Sequence, residues 1–213
     1  MTEAKICGLS TPETVDAALD AGAAYLGFNF FPKSPRYVTV ETAARLAEPA
    51  RQGSARVAAV VVDPDDNLVD EIARVLKPEL IQLHGHESPA RVSQIRARTG
   101  LGVIKVLSVS DASDIDAANA YDGLVDHLMF DARPPKGSAL PGGVGAQFDW
   151  DLLAGRRYSR PHFLAGGLDP WNVADAVRRS GAPGVDVSSG VERGPGLKDP
   201  ALIQAFLDAV KRI

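Results

Sequence analysis

Four expected helix starts along this chain share a signature, a small capping side chain followed at once by proline: Thr11-Pro12, Ser88-Pro89, Asp169-Pro170 and Asp199-Pro200. The cap oxygen accepts from N–H groups that a first helical turn leaves unpaired, and proline fits a position with no N–H to lose. The first three helices so opened meet a glycine near their expected ends, at Gly22, Gly100 and Gly181, where left-handed backbone is tolerated. Short runs rich in branched aliphatics alternate with these segments, at 4–7, 25–29, 55–62, 80–83, 102–107, 127–131, 162–165 and 184–187. Several are apolar throughout instead of alternating, as strands covered on both faces are. Helical spacing marks the stretches between them. Val15, Ala18, Leu19 and Gly22 recur at i, i+3, i+4 and i+7, while Leu68, Ile72, Val75 and Leu76 share one face, as do Ile203, Phe206, Leu207 and Val210.

Strand–helix units in strict alternation predict a parallel sheet with right-handed crossovers. Eight of them favour closure, so the expected fold class is α/β, a single (β/α)8 barrel domain spanning 1–213. An open doubly wound sheet needs fewer strands and a glycine fingerprint after the first. That fingerprint is missing here, and Gly142-Gly143-Val144-Gly145 follows no strand and opens no clear helix.

The formal net charge of −4, with signs mixed along the chain, argues against a nucleic-acid partner but permits a locally held small anion. Cys7 is the only cysteine, so no internal disulfide forms and a reducing compartment, the cytoplasm, is expected. Glu3 with no long apolar run after it does not read as a secretory signal, and the apolar stretch 57–62 is too short to span a bilayer. No membrane partner is expected.

In a barrel of this kind, chemistry gathers on the loops after the strands. Cys7, Asn29, Arg36, His84, Asp131 and the run Asp186-Val187-Ser188-Ser189-Gly190 all follow expected strand ends, which implies a common mouth. Gly166 and Gly167 after strand seven, with Ser188 and Ser189 after strand eight, suit a phosphate held by backbone N–H groups and hydroxyls; two ordinary tight turns are the plainer alternative. The segment 27–37 combines aromatics, two prolines and Arg36, whose guanidinium can grip a carboxylate in bidentate fashion or simply lie in solvent. His84 and His86 raise the question of a metal. Gly85 intervenes at the strand end, and His127 and His162 begin strands at the opposite end, so the expectation is no metal and a hydrogen-bonding role for His84. Asp131, after Met129 and Phe130, suits a general acid, or else a loop anchor. The Gly/Pro-rich loop 132–147 is long enough to act as a lid.

Taken in order, Lys5-Ile6-Cys7-Gly8, the 27–37 stretch, Gln82-Leu83-His84-Gly85, Asp131, Gly143-Val144-Gly145 with Phe148-Asp149-Trp150, Ala165-Gly166-Gly167-Leu168 and Asp186-Val187-Ser188-Ser189-Gly190-Val191-Glu192 resemble the phosphoribosylanthranilate isomerase family. The likeness covers essentially the whole chain, and the ordered set is more specific than any one piece. It implies an enzyme of tryptophan biosynthesis that converts N-(5′-phosphoribosyl)anthranilate to 1-(2-carboxyphenylamino)-1-deoxyribulose 5-phosphate by an Amadori rearrangement, with no cofactor and no metal. It also implies Cys7 as general base and Asp131 as general acid, with Arg36 on the anthranilate carboxylate and Asp186 near the ribose hydroxyls. Backbone groups around Gly166, Gly167, Ser188 and Ser189 take the phosphate. The partner is then this small molecule alone, and the protein a monomer or homodimer. One departure from the family pattern is Arg133-Pro134-Pro135-Lys136 in the lid loop.

A free thiol titrates near about 8.5, so a base role asks for some lowering, and Lys5, two residues away on the same side of its strand, is placed to help. Three other readings remain. A sugar-phosphate epimerase wants a metal held by histidines on several strands. The dual isomerases of histidine and tryptophan synthesis carry an acid where Cys7 stands. A silent phosphate-binding barrel has no reason to keep a thiol and an acid at one mouth.

Overall fold

Eight parallel strands close on themselves in sequence order in the computed structural model, which describes residues 2–135, 137–138 and 140–213. They are β1 (Glu3–Cys7), β2 (Tyr25–Asn29), β3 (Arg56–Val61), β4 (Leu80–Leu83), β5 (Gly102–Val109), β6 (His127–Ala132), β7 (His162–Leu164) and β8 (Gly184–Val187). β1 closes the ring by pairing with both β2 and β8, so that Lys5 stands beside Tyr25 on one side and Asp186 on the other. Among the described residues, seven α-helices lie between and after the strands: α1 (Pro12–Asp20), α2 (Val40–Leu46), α3 (Asp66–Glu71), α4 (Pro89–Thr99), α5 (Ala112–Asp116), α6 (Val173–Ser180) and α7 (Pro200–Lys211). This is the expected (β/α)8 barrel.

The helix starts follow from their caps. Thr11, Ser88 and Asp199 each accept from a backbone N–H of the first turn, at Thr14, Arg91 and Ala201. Asp169-Pro170 departs from expectation. Asp169 accepts from the N–H groups of Trp171 and Asn172, both within 2.9 Å, and closes a separate turn, so regular helix begins only at Val173. α3 also changes character: it runs on into a wider π turn, Ile72–Leu76, ended by Lys77 in left-handed backbone. Among the described residues between β6 and β7, a 3-10 turn, Trp150–Leu153, stands where a helix is expected. The Gly/Pro-rich run before it cannot sustain helical hydrogen bonding.

Two apolar layers result. Side chains facing outward from the sheet pack under the helices; Ile203, Phe206, Leu207 and Val210 of α7 are buried there, and α7 rests on α1 and α6. Inside the barrel, Tyr25, Ala58, Leu80, Ile104, Val106, Met129, Phe163 and Ala165 fill the lumen. Tyr25 meets Phe163 edge-on at 5.1 Å between ring centres and His127 at 5.9 Å, sealing the floor. A filled lower lumen leaves the polar inward residues to the other end of the strands.

His162 lies outside the barrel wall against Phe130 and Tyr158, and burial pushes its imidazole down to about 4. In the unfolded chain it titrates near 6.5. Between those values the unfolded state binds a proton that the native state refuses, so stability falls as pH drops from 6.5 toward 4. The ceiling is about 3 kcal/mol, less whatever the exposed part of the ring returns to solvent. His127, also pushed down by burial, acts in the same sense. The urea midpoint of His162→Phe is expected to decline less steeply over this window than that of the parent chain; equal slopes would contradict the account.

Candidate active site

Cys7, Asn29, Arg36, His84, Asp131, Asp186 and the turns at 166–167 and 188–189 all border one cavity at the carboxyl ends of the strands. Cys7 ends β1, His84 follows β4, Asp131 lies near the end of β6, and Asp186 is on β8. Gly166 and Gly167 follow β7, Ser188 and Ser189 follow β8, and Arg36 comes in from the loop after β2. Cys7 and Asp131 are separated around the rim by β7 and β8 on one side and by β2 to β5 on the other. They therefore stand across the opening from each other, with the glycine and serine turns between them.

The local chemistry differs from the sequence expectation in three places. Burial pushes the Cys7 thiol up; Lys5 pulls against this, but Asp186 adds to the rise, so the expected lowering is absent. Lys5 Nζ is 2.8 Å from Asp186 Oδ1, both deep in the barrel, so the cation beside the sulfur already has a carboxylate. Arg36 is not a solvated side chain either. It is 5% exposed, and its guanidinium makes a bidentate pair with Glu192, Nε to Oε1 at 2.7 Å and Nη2 to Oε2 at 2.8 Å. Nη1 makes no hydrogen bond among the described residues. Lastly, the Ser188 hydroxyl donates to the Cys7 carbonyl at 3.1 Å, tying β8 to β1, which leaves its backbone N–H as the group able to meet an anion.

Glu192 and Lys198 were not singled out from sequence. They belong to a small antiparallel hairpin, β9 (Glu192–Gly194) with β10 (Leu197–Lys198), that follows β8. Burial works to raise the Glu192 carboxyl, but Arg36 and Lys198 override it and hold it below its usual range. Lys198 Nζ also donates to the carbonyl of Ser188 at 3.1 Å, so the same hairpin steadies both Arg36 and the turn after β8. Its sequence signals are the Gly194-Pro195-Gly196 turn and the place of Glu192 at the end of the motif that follows strand eight. Glu192 does not line the cavity. Glu192→Gln is therefore expected to raise KM about tenfold, a loss of roughly 1.4 kcal/mol of binding, with a smaller change in kcat. A kcat loss with KM unchanged would contradict this placement.

His84 and His86 diverge. His84 Nε2 lies 3.2 Å from Asp131 Oδ2, in contact but off the line of a hydrogen bond, whereas His86 is exposed and faces Asp63. Among the described residues no three His, Cys, Asp or Glu side chains gather as metal ligands. The β4–α4 loop behind His84 is clamped: Glu87, buried, accepts from the N–H groups of Asp63 and Gly85 and pairs with Lys105 at 2.8 Å.

The described segment 140–147 lies across the mouth. Leu140 to Ala146 line the cavity, Gly143 O accepts from Arg36 Nη2 at 3.1 Å, and Gln147 Nε2 donates to Gly167 O at 2.9 Å. Backbone passes so close that a Cβ on Gly142 would lie 2.5 Å from Asp131 Oδ2. Of the Arg133–Lys136 departure, Arg133 is tied to Asp114. Lys136 lies outside the described residues.

A family model described as N-(5′-phosphoribosyl)anthranilate (PRA) isomerase matches residues 4–209. An N-(5′-phosphoribosyl)anthranilate isomerase of Caulobacter vibrioides is 68% identical over 209 residues, covering 98% of this chain and 95% of that one. Among solved structures, a phosphoribosyl anthranilate isomerase from Thermotoga maritima superposes with a TM-score of 0.89 at 33% identity, each chain covered in full. Another phosphoribosyl anthranilate isomerase, bound to reduced 1-(o-carboxyphenylamino)-1-deoxyribulose 5-phosphate, gives a TM-score of 0.85 at 30% identity, again with both chains fully covered.

Proposed function

The chain belongs to the N-(5′-phosphoribosyl)anthranilate isomerase family of tryptophan biosynthesis, and from that premise we propose how its own residues divide the reaction. The substrate phosphate rests on backbone N–H groups of Gly166, Gly167, Ser188 and Ser189. Arg36 Nη1 meets the anthranilate carboxylate, and Asp186 accepts from the ribose hydroxyls. Asp131 gives a proton to the furanose ring oxygen, the C1′–O bond breaks, and a Schiff base forms. Cys7, as thiolate, takes the proton from C2′, and the resulting enolamine tautomerises to the ketone. His84, beside Asp131, hydrogen-bonds the opening sugar. No step calls on a cofactor or metal. The chain works on this small molecule in the cytoplasm as one barrel domain, alone or as a homodimer.

The observation that supports this reading best is the placement of Cys7 and Asp131 on facing strands of one cavity, with the glycine and serine turns between them. An acid and a base held apart across a bound sugar suit a 1,2-proton shift. No helix of the described residues is long and apolar enough to cross a membrane. The test is a fluorescence assay with freshly made phosphoribosylanthranilate, run with and without a chelator. Decay of substrate fluorescence at the same rate in both is expected. Decay that stops with the chelator would overturn the metal-free scheme, and no decay at all would overturn the reading as a whole.

A further inference from the structure

Lys5 is a charged residue of the site that the scheme above leaves without a task. It is fully buried in the lumen, one inward position below Cys7, with its Nζ 2.8 Å from Asp186 Oδ1. Stability alone does not account for it. Desolvating both charges offsets most of their attraction, and apolar side chains of similar volume commonly serve as well or better. Room for the ammonium comes from Gly27 on β2. A Cβ there would lie 2.8 Å from Lys5 Nζ and 3.2 Å from Cys7 Sγ, so nitrogen and sulfur border the same slot. The charged neighbours of the sulfur are Lys5 on its own strand, Asp186 on β8 and Lys198 on β10, while Arg36, His84 and Asp131 border the same cavity. Burial works against the charge on Lys5, but Asp186 and then Cys7 outweigh it and hold the ammonium protonated. One cation thus serves two anion positions, the carboxylate it touches and the sulfur beside it.

We propose that Lys5 is the positioning residue for the Cys7 thiolate: the ammonium now on Asp186 is the counter-charge that the sulfur takes up when its proton leaves. The inference rests on Cys7 acting as the base. In the step itself the S–H bond breaks, its electron pair stays on sulfur, and the proton passes to water in the mouth. The ammonium keeps its three protons and turns an N–H from Asp186 toward Sγ. Ribose hydroxyls that donate to Asp186 share its negative charge and loosen its hold on Lys5. The base is then armed when the sugar is in place.

Because Cys7 is the only cysteine, the pH dependence of its alkylation by iodoacetamide reads its ionisation in the intact protein. Lys5→Gln is expected to move the alkylation midpoint up by about one pH unit or more and to lower kcat/KM at neutral pH about tenfold. Asp186→Asn is expected to move the midpoint down, since the ammonium then has the sulfur as its one close anionic neighbour. Lys5→Gln leaves Asp186 buried without its partner and can fail to fold, so the charge-balanced pair Lys5→Gln/Asp186→Asn carries the test as well. Its midpoint is expected above that of Asp186→Asn alone. Coincident midpoints in those two proteins, or an unmoved midpoint in a folded Lys5→Gln, would overturn the proposal. Full activity of Cys7→Ser together with the expected midpoint shifts would instead remove the base role and leave the Lys5–Cys7 coupling standing.

Discussion

Cys7→Ser is expected to lower kcat by about 10²–10⁴-fold, the contribution typical of a positioned general base, while the Kd of a reduced product analogue stays within about twofold. Serine is close to isosteric with cysteine, and the position is 8% exposed at the end of β1, so the barrel and the cradle should be undisturbed. What changes is acidity. Even a thiol pushed up by burial ionises far more readily than an alcohol in the same place, and Lys5 stands ready to hold the resulting charge. Steady-state kinetics beside calorimetric titration of the analogue checks both halves of the expectation. Unchanged kcat in a folded variant would remove Cys7 from the mechanism; lost binding would make its role one of shape.

Asp131→Asn is expected to cost a comparable 10²–10⁴-fold in kcat, by a different route. The amide keeps the shape and can still touch His84, which lies 3.2 Å away in the parent chain, but it has no acidic proton to give the ring oxygen. The furanose should stay closed, and KM should move little, since the groups assigned to phosphate and carboxylate are backbone N–H groups and Arg36, which the substitution leaves in place. The two variants should also be non-additive. A sugar that does not open offers no acidic C2′ proton, so adding Cys7→Ser to Asp131→Asn should cost far less than the product of the single effects. Kinetics of the double variant check this; full multiplicative loss would mean that the two residues act in unconnected steps.

The barrel was legible because its signals are local. A cap followed by proline, a glycine some ten residues later and an apolar run of four to eight residues each report on their own neighbourhood, and eight strand–helix units leave few topologies open. The one cap that misled, Asp169-Pro170, did so because its aspartate accepts from two N–H groups at once and closes a turn of its own before the helix. Strand-end logic assigned the polar residues of the site to one rim, and they border one cavity. It could not say how they are partnered. Lys5 meets Asp186 across 181 positions, and Arg36 meets Glu192 across 156, pairings that exist only once β8 closes onto β1. For the same reason the direction of the Cys7 shift was missed. The helpful lysine is near in sequence, while the burial and the carboxylate that outweigh it come from the closed barrel.

The division of labour is tested most directly by a crystal structure of this chain with reduced 1-(o-carboxyphenylamino)-1-deoxyribulose 5-phosphate. The account predicts phosphate on the N–H groups of Gly166, Gly167, Ser188 and Ser189, and the aromatic carboxylate at Arg36. Carbon C2′ should then lie about 3–3.5 Å from Cys7 Sγ, with Asp131 on the opposite side of the sugar. A ligand bound the other way round, with C2′ remote from the sulfur, would contradict it.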